Sequence, residues 1–301
     1  MDTLQEVLSW TKPHGVIPKH LRPRSTYALL GHHLCQDAIS PESLQFVPSA
    51  SAPRTLFCHD LKGGYGPDRF VHGREGLEEM PYVFRHWSCI DTFVYFSHRF
   101  VTIPPVGWIS AAHANGVKVL GTVITEWDRG AELCHEFLAE ENLEAFATSL
   151  VRIAVEEGFE GWLFNIENVL DVEKGEVEKM QRLVRLLTDK MHRAVSGSEV
   201  IWYDSVTTEG KLEWQNELNT LNKPFFDACD GIFLNYTWKT GEERDEEGKV
   251  LYHDSLKASI DALAEGEKER KFDIYVGIDV FGRGCYGGGG FNCNKALEFI
   301  R

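Results

Sequence analysis

Residues 159–168 read FEGWLFNIEN, and this stretch is the best single indicator of the fold. Apolar side chains occupy both faces of residues 161–166, as expected for a strand that helices cover on both sides. Asn165 and Glu167 lie at the carboxyl end of the run. The stretch therefore predicts one strand of a parallel sheet, with functional groups where the strand ends.

Similar apolar runs recur along the chain, and helical patterns separate them. The predicted strands are residues 55–59, 92–97, 118–125, 161–166, 199–204, 231–235 and 274–280. Apolar residues at spacings of three and four predict helices over residues 106–115, 143–156, 177–195 and 253–265, and a last helix begins near Asn294. Alternating strands and helices predict a parallel sheet that is either closed into a barrel or doubly wound.

We predict an α/β fold, namely a TIM (β/α)8-type barrel that is truncated after its seventh strand. The expected eighth strand would have to begin after Arg301. A doubly wound sheet needs no eighth strand, so the sequence leaves this alternative open. Residues 1–53, which are rich in proline, serine and histidine, are expected to form an N-terminal lead-in segment. Residues 54–301 are expected to form the barrel domain.

The composition excludes several classes of partner. The chain has 301 residues, with 31 Lys and Arg against 46 Asp and Glu, which gives a formal net charge of −15. This acidic balance argues against nucleic acid and against an anionic membrane surface, because both bind through clusters of basic side chains. The sequence contains neither a bilayer-spanning apolar run nor a secretory signal, so we expect a protein of the cytosol without a membrane partner.

The seven cysteines are scattered and form no CxxC motif. This pattern indicates neither a zinc site nor a disulfide framework, and it is typical of reduced thiols in a cytosolic protein. We therefore predict no metal and no cofactor.

Polar and aromatic residues follow almost every predicted strand. These strand ends are His59-Asp60, Ser97-His98, Glu126-Trp127, Asn165 with Glu167, Tyr203-Asp204, Asn235-Tyr236 with Trp238, and Asp279. In a parallel barrel the carboxyl strand ends form the active-site face. Carboxylates, amides and tryptophans together suit the hydroxyl groups and the apolar C–H faces of sugars, so we expect a carbohydrate site.

The Asn165–Glu167 pair indicates the chemistry. Residues two apart in a strand point to the same side, so both side chains would face one substrate. Glycoside cleavage ordinarily uses two carboxylic acids, but an amide takes the place of one of them here. An amide can orient a 2-acetamido group whose oxygen attacks the anomeric carbon, while Glu167 acts as acid and base. The alternative is a structural amide beside a helix-terminal carboxylate.

Eight stretches resemble glycoside hydrolase family 85, the cytosolic endo-β-N-acetylglucosaminidases. They are HDLKGGYGPDRF (59–70), FVYFSHRFVTIPPVGW (93–108), GVKVLGTVITEW (116–127), FEGWLFNIEN (159–168), WYDSV (202–206), LEWQNELN (212–219), CDGIFLNYTW (229–238) and YVGIDVFGRG (275–284). Together they cover most of residues 55–300. The combination is highly specific, although no single stretch is.

The resemblance implies a TIM barrel that cleaves the chitobiose core of N-glycans with retention of configuration, on glycopeptides, glycoproteins or free oligosaccharides. It implies catalytic roles for Glu167 as general acid/base and for Asn165 and Tyr203 as groups that contact the acetamido group. The substrate-binding residues that we predict are Trp214 and Trp238 near the acceptor, and Glu126, Trp127, His98 and Asn235 along the cleft.

The chain also departs from the family pattern, because the family barrel closes with an eighth strand that bears a tryptophan. This departure keeps open an inactive glycan-binding or regulatory form. A chitinase-like hydrolase is a further alternative, although such enzymes have an acid where this chain has Asn165.

Overall fold

The computed structural model describes residues 1–12, 53–60, 84–241, 243–244, 246–248, 250–252 and 254–300. Most of the predicted lead-in segment lies outside the described residues, and so does the greater part of the family-like stretch at 59–70. The division of the chain at residue 53 therefore stays a prediction.

The described strands and helices follow the predicted order. The strands are β1 (Leu56–His59), β2 (Thr92–Tyr95), β3 (Val101–Thr102), β4 (Lys118–Glu126), β5 (Gly161–Glu167), β6 (Glu199–Tyr203), β7 (Gly231–Leu234), β8 (Glu243–Arg244), β9 (Val250–Tyr252) and β10 (Ile274–Val276). The α-helices are α1 (Leu4–Leu8), α2 (Val106–Ala114), α3 (Trp127–Leu138), α4 (Glu140–Glu157), α5 (Glu176–Ala194), α6 (Lys223–Phe226), α7 (Ser255–Asp261) and α8 (Cys293–Ile300). All seven predicted strands are confirmed.

The strand order distinguishes the two sheet types that the sequence left open. The main sheet has the strand order β1-β2-β4-β5-β6-β7-β10, and every neighbouring pair is parallel. The short β3 lies outside this order and pairs antiparallel with Thr122 and Val123 of β4. A doubly wound sheet reverses its strand order at a switch point, whereas this order follows the chain without reversal. The sequential order is that of a barrel, and the predicted barrel fold is confirmed.

The barrel interior is filled by side chains from strands near both ends of the strand order. Val94, Leu120, Leu163, Ile201 and Tyr275 come from five different strands and pack in one buried cluster. Such packing is possible only if the sheet curves around these residues. The interior is therefore a packed core and not a channel.

Charged side chains at the amino-terminal ends of the strands connect the two ends of the strand order. The Arg54 guanidinium, just before β1, donates hydrogen bonds to Asp273 Oδ1, just before β10, and to Glu199 Oε1 on β6, both at 2.8 Å. Lys118 Nζ, at the start of β4, donates to the same Glu199 oxygen at 2.7 Å. These contacts bring the first and last strands of the sheet together, so the seven strands form a nearly closed barrel.

The helices cover the outside of the sheet with the faces that their spacing predicts. Helix α5 buries the following residues: Val177, Met180, Leu183, Val184, Leu187 and Met191. Most of its polar residues lie outside this face, although Glu176 and Thr188 are also buried, and this is the usual arrangement for a helix that packs on a sheet. In the described part of the chain, no helix is both long and apolar enough to span a bilayer.

Helix α3 is not among the helices that the sequence pattern predicts. It buries Leu133, Cys134, Phe137 and Leu138, so a helical spacing of apolar residues was present. Two features obscured it. Trp127 begins the helix with a left-handed backbone, at φ 58°, and Gly130 in the first turn lowers the intrinsic helix propensity.

We expect Glu199→Ala to lower the free energy of unfolding by about 2–3 kcal/mol, because it leaves two cations without their shared acceptor. Arg54 and Lys118 keep some contact with water, which should place the loss below that of a fully buried pair. Urea unfolding would measure the change. The control is Glu144→Ala, which removes an exposed partner of Lys190 and should cost no more than about 0.5 kcal/mol. Equal losses in the two variants would contradict a special role for Glu199.

Candidate active site

Strand β5 brings Asn165 and Glu167 together at the carboxyl end of the barrel. Leu163 points into the barrel interior, so the side chains two and four residues further along point to the same side. Asn165 Nδ2 donates a hydrogen bond to Glu167 Oε1 at 3.2 Å. Asn165 is only 4% exposed, whereas Glu167 is half-buried and reaches the mouth of the barrel. The predicted pairing of the two side chains is therefore present.

The surroundings of Glu167 favour its protonated form. Burial raises the pKa of its carboxyl above the usual range, and the negative charge of Glu126 acts in the same direction. The hydrogen bond from Asn165 and the charge of His98 partly offset this rise in pKa. A carboxylic acid with a raised pKa can still carry the proton that a general acid must donate near neutral pH.

Asp60, His98 and Glu126 form a carboxylate–imidazole bridge across the ends of β1, β2 and β4. His98 Nδ1 lies 3.0 Å from Glu126 Oε2, and His98 Nε2 lies 3.5 Å from Asp60 Oδ2. Burial disfavours the charged imidazole, but the hydrogen bonds and charges of the two carboxylates outweigh it and raise the pKa of His98. Glu126 is the register partner of Glu167, so the bridge lies directly beside the proposed acid.

Tyr203 and Asn235 form the opposite flank of the site. Tyr203 lies at the end of β6, and its hydroxyl donates to Asn235 Oδ1 at 3.1 Å. Asn235 Nδ2 donates in turn to Asn216 Oδ1 at 2.8 Å. Burial raises the pKa of Tyr203, and the neighbouring Glu167 charge adds to the rise. The phenol therefore keeps its proton and remains a hydrogen-bond donor.

Asp204 anchors the loop that carries Trp214. Its carboxylate is buried and accepts hydrogen bonds from the backbone N–H groups of Gln215 at 3.2 Å and Asn216 at 2.7 Å, and from Asn222 Nδ2 at 2.9 Å. Trp214, at the start of this anchored segment, is 40% exposed. Asp204 thus acts as a structural acceptor that fixes the loop, and Trp214 lies on the rim beside the Tyr203 flank.

The predicted aromatic residues differ in how they are placed. Trp127 follows Glu126 directly and is 84% exposed at the barrel mouth. Trp238 is only 3% exposed, its indole N–H donates to the Gly277 carbonyl at 2.7 Å, and its ring stacks on Tyr286 at 5.3 Å between centroids. Trp127 and Trp214 can therefore reach a sugar directly, whereas Trp238 supports the loop that follows β10.

The structure thus places His98, Glu126, Tyr203 and Asn235 in two flanks around the Asn165–Glu167 pair, whereas Trp238 is buried against the loop after β10. Two polar residues that we did not predict belong to this network, namely Asn216, which connects Asn235 to the Trp214 loop, and Asn168, which contacts the backbone at Trp127. Asn168 could have been noticed because it directly follows Glu167, whereas no pattern marks Asn216. The described residues contain no group of three or more His, Cys, Asp or Glu side chains suited to a metal ion.

The chemistry of the site follows from the partner of Glu167. The side chain hydrogen-bonded to this acid is a carboxamide, which cannot act as a nucleophile but can hold and polarise an amide of a substrate. A parallel barrel with such a pair, amides and exposed tryptophans at its mouth defines the class of protein as a (β/α)-barrel glycoside hydrolase. The chain belongs to glycosyl hydrolase family 85, whose family model matches residues 65–301. The match confirms the resemblance drawn from the sequence.

Curated relatives are similar across most of this chain. It is 51% identical over 263 residues to the cytosolic endo-beta-N-acetylglucosaminidase of Danio rerio, a match that covers 87% of this chain and 34% of that protein. It is 48% identical over 267 residues to the enzyme of the same name from Homo sapiens, covering 88% of this chain and 33% of that protein. The chain thus spans about a third of the length of these relatives.

A solved structure supports the fold independently. The glycoside hydrolase domain of Endo-D from Streptococcus pneumoniae R6 superposes with a TM-score of 0.61 at 20% sequence identity. The match covers 94% of this chain and 42% of that one. At this identity the likeness concerns the barrel architecture alone.

Proposed function

We propose that this chain is the catalytic barrel of an endo-β-N-acetylglucosaminidase that hydrolyses the GlcNAc-β1,4-GlcNAc core of N-glycans in the cytosol. The observation that carries the proposal is the hydrogen-bonded pair of Asn165 and Glu167 at the barrel mouth. The names of the curated relatives support the reaction and the compartment. The substrates would be N-glycans on glycopeptides or glycoproteins, or free oligosaccharides.

The proposed reaction uses the sugar's own 2-acetamido group as nucleophile. Its carbonyl oxygen attacks the anomeric carbon, while Glu167 gives its proton to the departing glycosidic oxygen. The product is a cyclic oxazolinium ion, in which Asn165 and the Tyr203 hydroxyl orient the acetamido atoms. Glu167, now a carboxylate, takes a proton from water as the water opens the ring from the other face. Two displacements retain the configuration, and an acceptor hydroxyl in place of water gives transglycosylation.

The burial pattern of the pair supports these roles. Asn165 is nearly inaccessible and held by its hydrogen bond, so its amide is preorganised and needs little rearrangement when the charge of the oxazolinium develops. Glu167 is half-buried, which leaves room for a substrate oxygen while still raising the pKa of the carboxyl.

Mass spectrometry of the peptide product tests the proposal. The purified chain should convert a glycopeptide that carries a mannose-rich N-glycan into a peptide that retains one GlcNAc. Cleavage of chitin oligomers without action on the glycopeptide would instead select a chitinase-like hydrolase. Glycan binding without any cleavage would select the inactive glycan-binding form.

The carboxylate–imidazole bridge leads to a prediction about pH. His98 in its charged form lowers the pKa of Glu167, so His98→Gln should raise that pKa. Activity requires protonated Glu167 and falls as pH rises through its pKa, so the alkaline limb of the kcat profile should move to higher pH by about half a unit to one unit.

The control for this shift is His192→Gln, which removes an imidazole that pairs with Asp230 near the carboxyl end of α5. That variant should leave the alkaline limb of the kcat profile in place. A limb that stays fixed or moves to lower pH in His98→Gln would contradict the electrostatic coupling to Glu167.

A further inference from the structure

The backbone at Trp127 has an unusual conformation at the proposed active site. Its φ is 58°, in the left-handed region that bulky residues rarely adopt. The residue nevertheless exposes 84% of its surface, so burial of the indole does not hold the backbone in place. A conformation of this kind persists only where surrounding groups enforce it, and such positions cluster at binding and catalytic sites.

The side chain of Asn168 contacts this backbone. Its Nδ2 donates a hydrogen bond to the Trp127 carbonyl oxygen at 2.8 Å. Asn168 is 7% exposed, and it follows Glu167 directly in the chain. One residue therefore connects the end of β5, which carries the proposed acid, to the start of α3, which carries the exposed tryptophan.

Gly130 makes room for this contact. A Cβ atom at Gly130 would lie 2.2 Å from Asn168 Oδ1 and 2.9 Å from the Thr125 carbonyl carbon. The Asn168 amide thus lies directly against the glycine in the first turn of α3. The glycine that weakens the helix locally has a structural reason, because any side chain there would displace the amide from Trp127.

The position of Trp127 relative to Glu167 indicates which part of the substrate it meets. Trp127 follows β4 and Trp214 follows β6, so the two exposed indoles lie on opposite sides of β5. A glycan bound across Glu167 must extend toward both sides. If Trp214 meets the GlcNAc acceptor, as the sequence analysis predicts, then Trp127 faces the mannose-bearing part.

We infer that Asn168 is a positioning residue that holds Trp127 as a platform for the mannose-bearing side of the glycan. The inference rests on the proposed endoglycosidase function and adds a specificity element to it. The indole offers an apolar face to the C–H face of a sugar ring, and its value depends on a fixed orientation, because a freely moving ring would lose entropy on binding.

The test compares the variants Trp127→Ala and Asn168→Ala, together with the double variant, by steady-state kinetics on the mannose-rich glycopeptide. Trp127→Ala should raise KM about tenfold or more with little change in kcat. Asn168→Ala should raise KM about three- to tenfold, as expected for the loss of one hydrogen bond. The double variant should be no worse than Trp127→Ala, because Asn168 acts through Trp127.

Two further variants separate positioning from folding. Asn142→Ala removes a similar amide-to-backbone bond, from Asn142 Nδ2 to the Glu136 carbonyl at 2.8 Å, and it should leave KM unchanged. Gly130→Ala should reproduce the KM effect of Asn168→Ala. Thermal unfolding of each variant shows whether the barrel is intact.

Binding of a free mannose-rich oligosaccharide with a chitobiose core, measured by calorimetry, separates this inference from the proposed function. Weaker binding by Trp127→Ala and Asn168→Ala supports the platform even if the chain cleaves nothing. Three results would overturn the inference and leave the endoglycosidase function intact. In the kinetics they are additive increases of KM in the double variant, or a fall in kcat at constant KM for Asn168→Ala. In the calorimetry it is unchanged oligosaccharide binding by the two single variants. A wild-type chain that neither binds nor cleaves would overturn both.

Discussion

Replacing Glu167 with glutamine is expected to lower kcat on a glycopeptide by about 10³-fold or more, because one group supplies both proton transfers of the proposed reaction. Glutamine has nearly the same shape and can still accept the hydrogen bond from Asn165, so the fold and substrate binding should be preserved. The loss should therefore appear in kcat, with KM changed little. Initial rates of glycan release, followed by mass spectrometry of the peptide, would measure it.

The matched control for this variant is Glu173→Gln in the same β5–α5 connection. Glu173 is exposed, so its replacement should leave kcat unchanged. Undiminished turnover in Glu167→Gln would exclude this residue as the acid/base. Comparable losses in both variants would attribute the effect to the connection as a whole.

Asn165→Gln is expected to separate the two halves of the reaction. The longer side chain should misplace the amide, so that formation of the oxazolinium from a glycopeptide falls by about 10²-fold or more. A preformed sugar oxazoline already contains the ring that Asn165 helps to form. Its transfer to a GlcNAc acceptor should therefore stay within about tenfold of the wild-type rate.

Each variant is assayed on two sugar donors, the glycopeptide and the preformed oxazoline. A folding defect would lower activity on both donors, so the comparison within one variant controls for folding. Glu167→Gln should lose activity on both donors, because the acceptor hydroxyl still needs a base. An equal loss on glycopeptide and oxazoline in Asn165→Gln would contradict the orienting role of the amide.

The sequence could predict the strands and the central pair because both depend on local patterns. Runs that are apolar on both faces mark buried parallel strands, and a spacing of two puts Asn165 and Glu167 on the same side. Closure into a barrel could not be predicted in this way, since it depends on strand order and on contacts such as Arg54 with Asp273, which lie far apart in the chain.

The roles of the tryptophans could not be read from position alone. Trp127 and Trp238 both follow the end of a strand, yet one is exposed and the other is buried. The difference arises from Gly277 and Tyr286, which meet the Trp238 indole from a later part of the chain. Likewise, the left-handed backbone at Trp127 depends on Asn168, which is 41 residues away in sequence.

The anomeric configuration of the first product tests most directly whether cleavage proceeds by two displacements, as it must when the sugar supplies its own nucleophile. Attack by the acetamido oxygen, followed by attack of water, returns the β configuration at the new reducing end. Proton NMR of the released glycan, recorded before mutarotation, should therefore show the β-anomer first. An α-anomer as the first product would mean that water displaces the leaving group directly, and it would contradict the proposed mechanism.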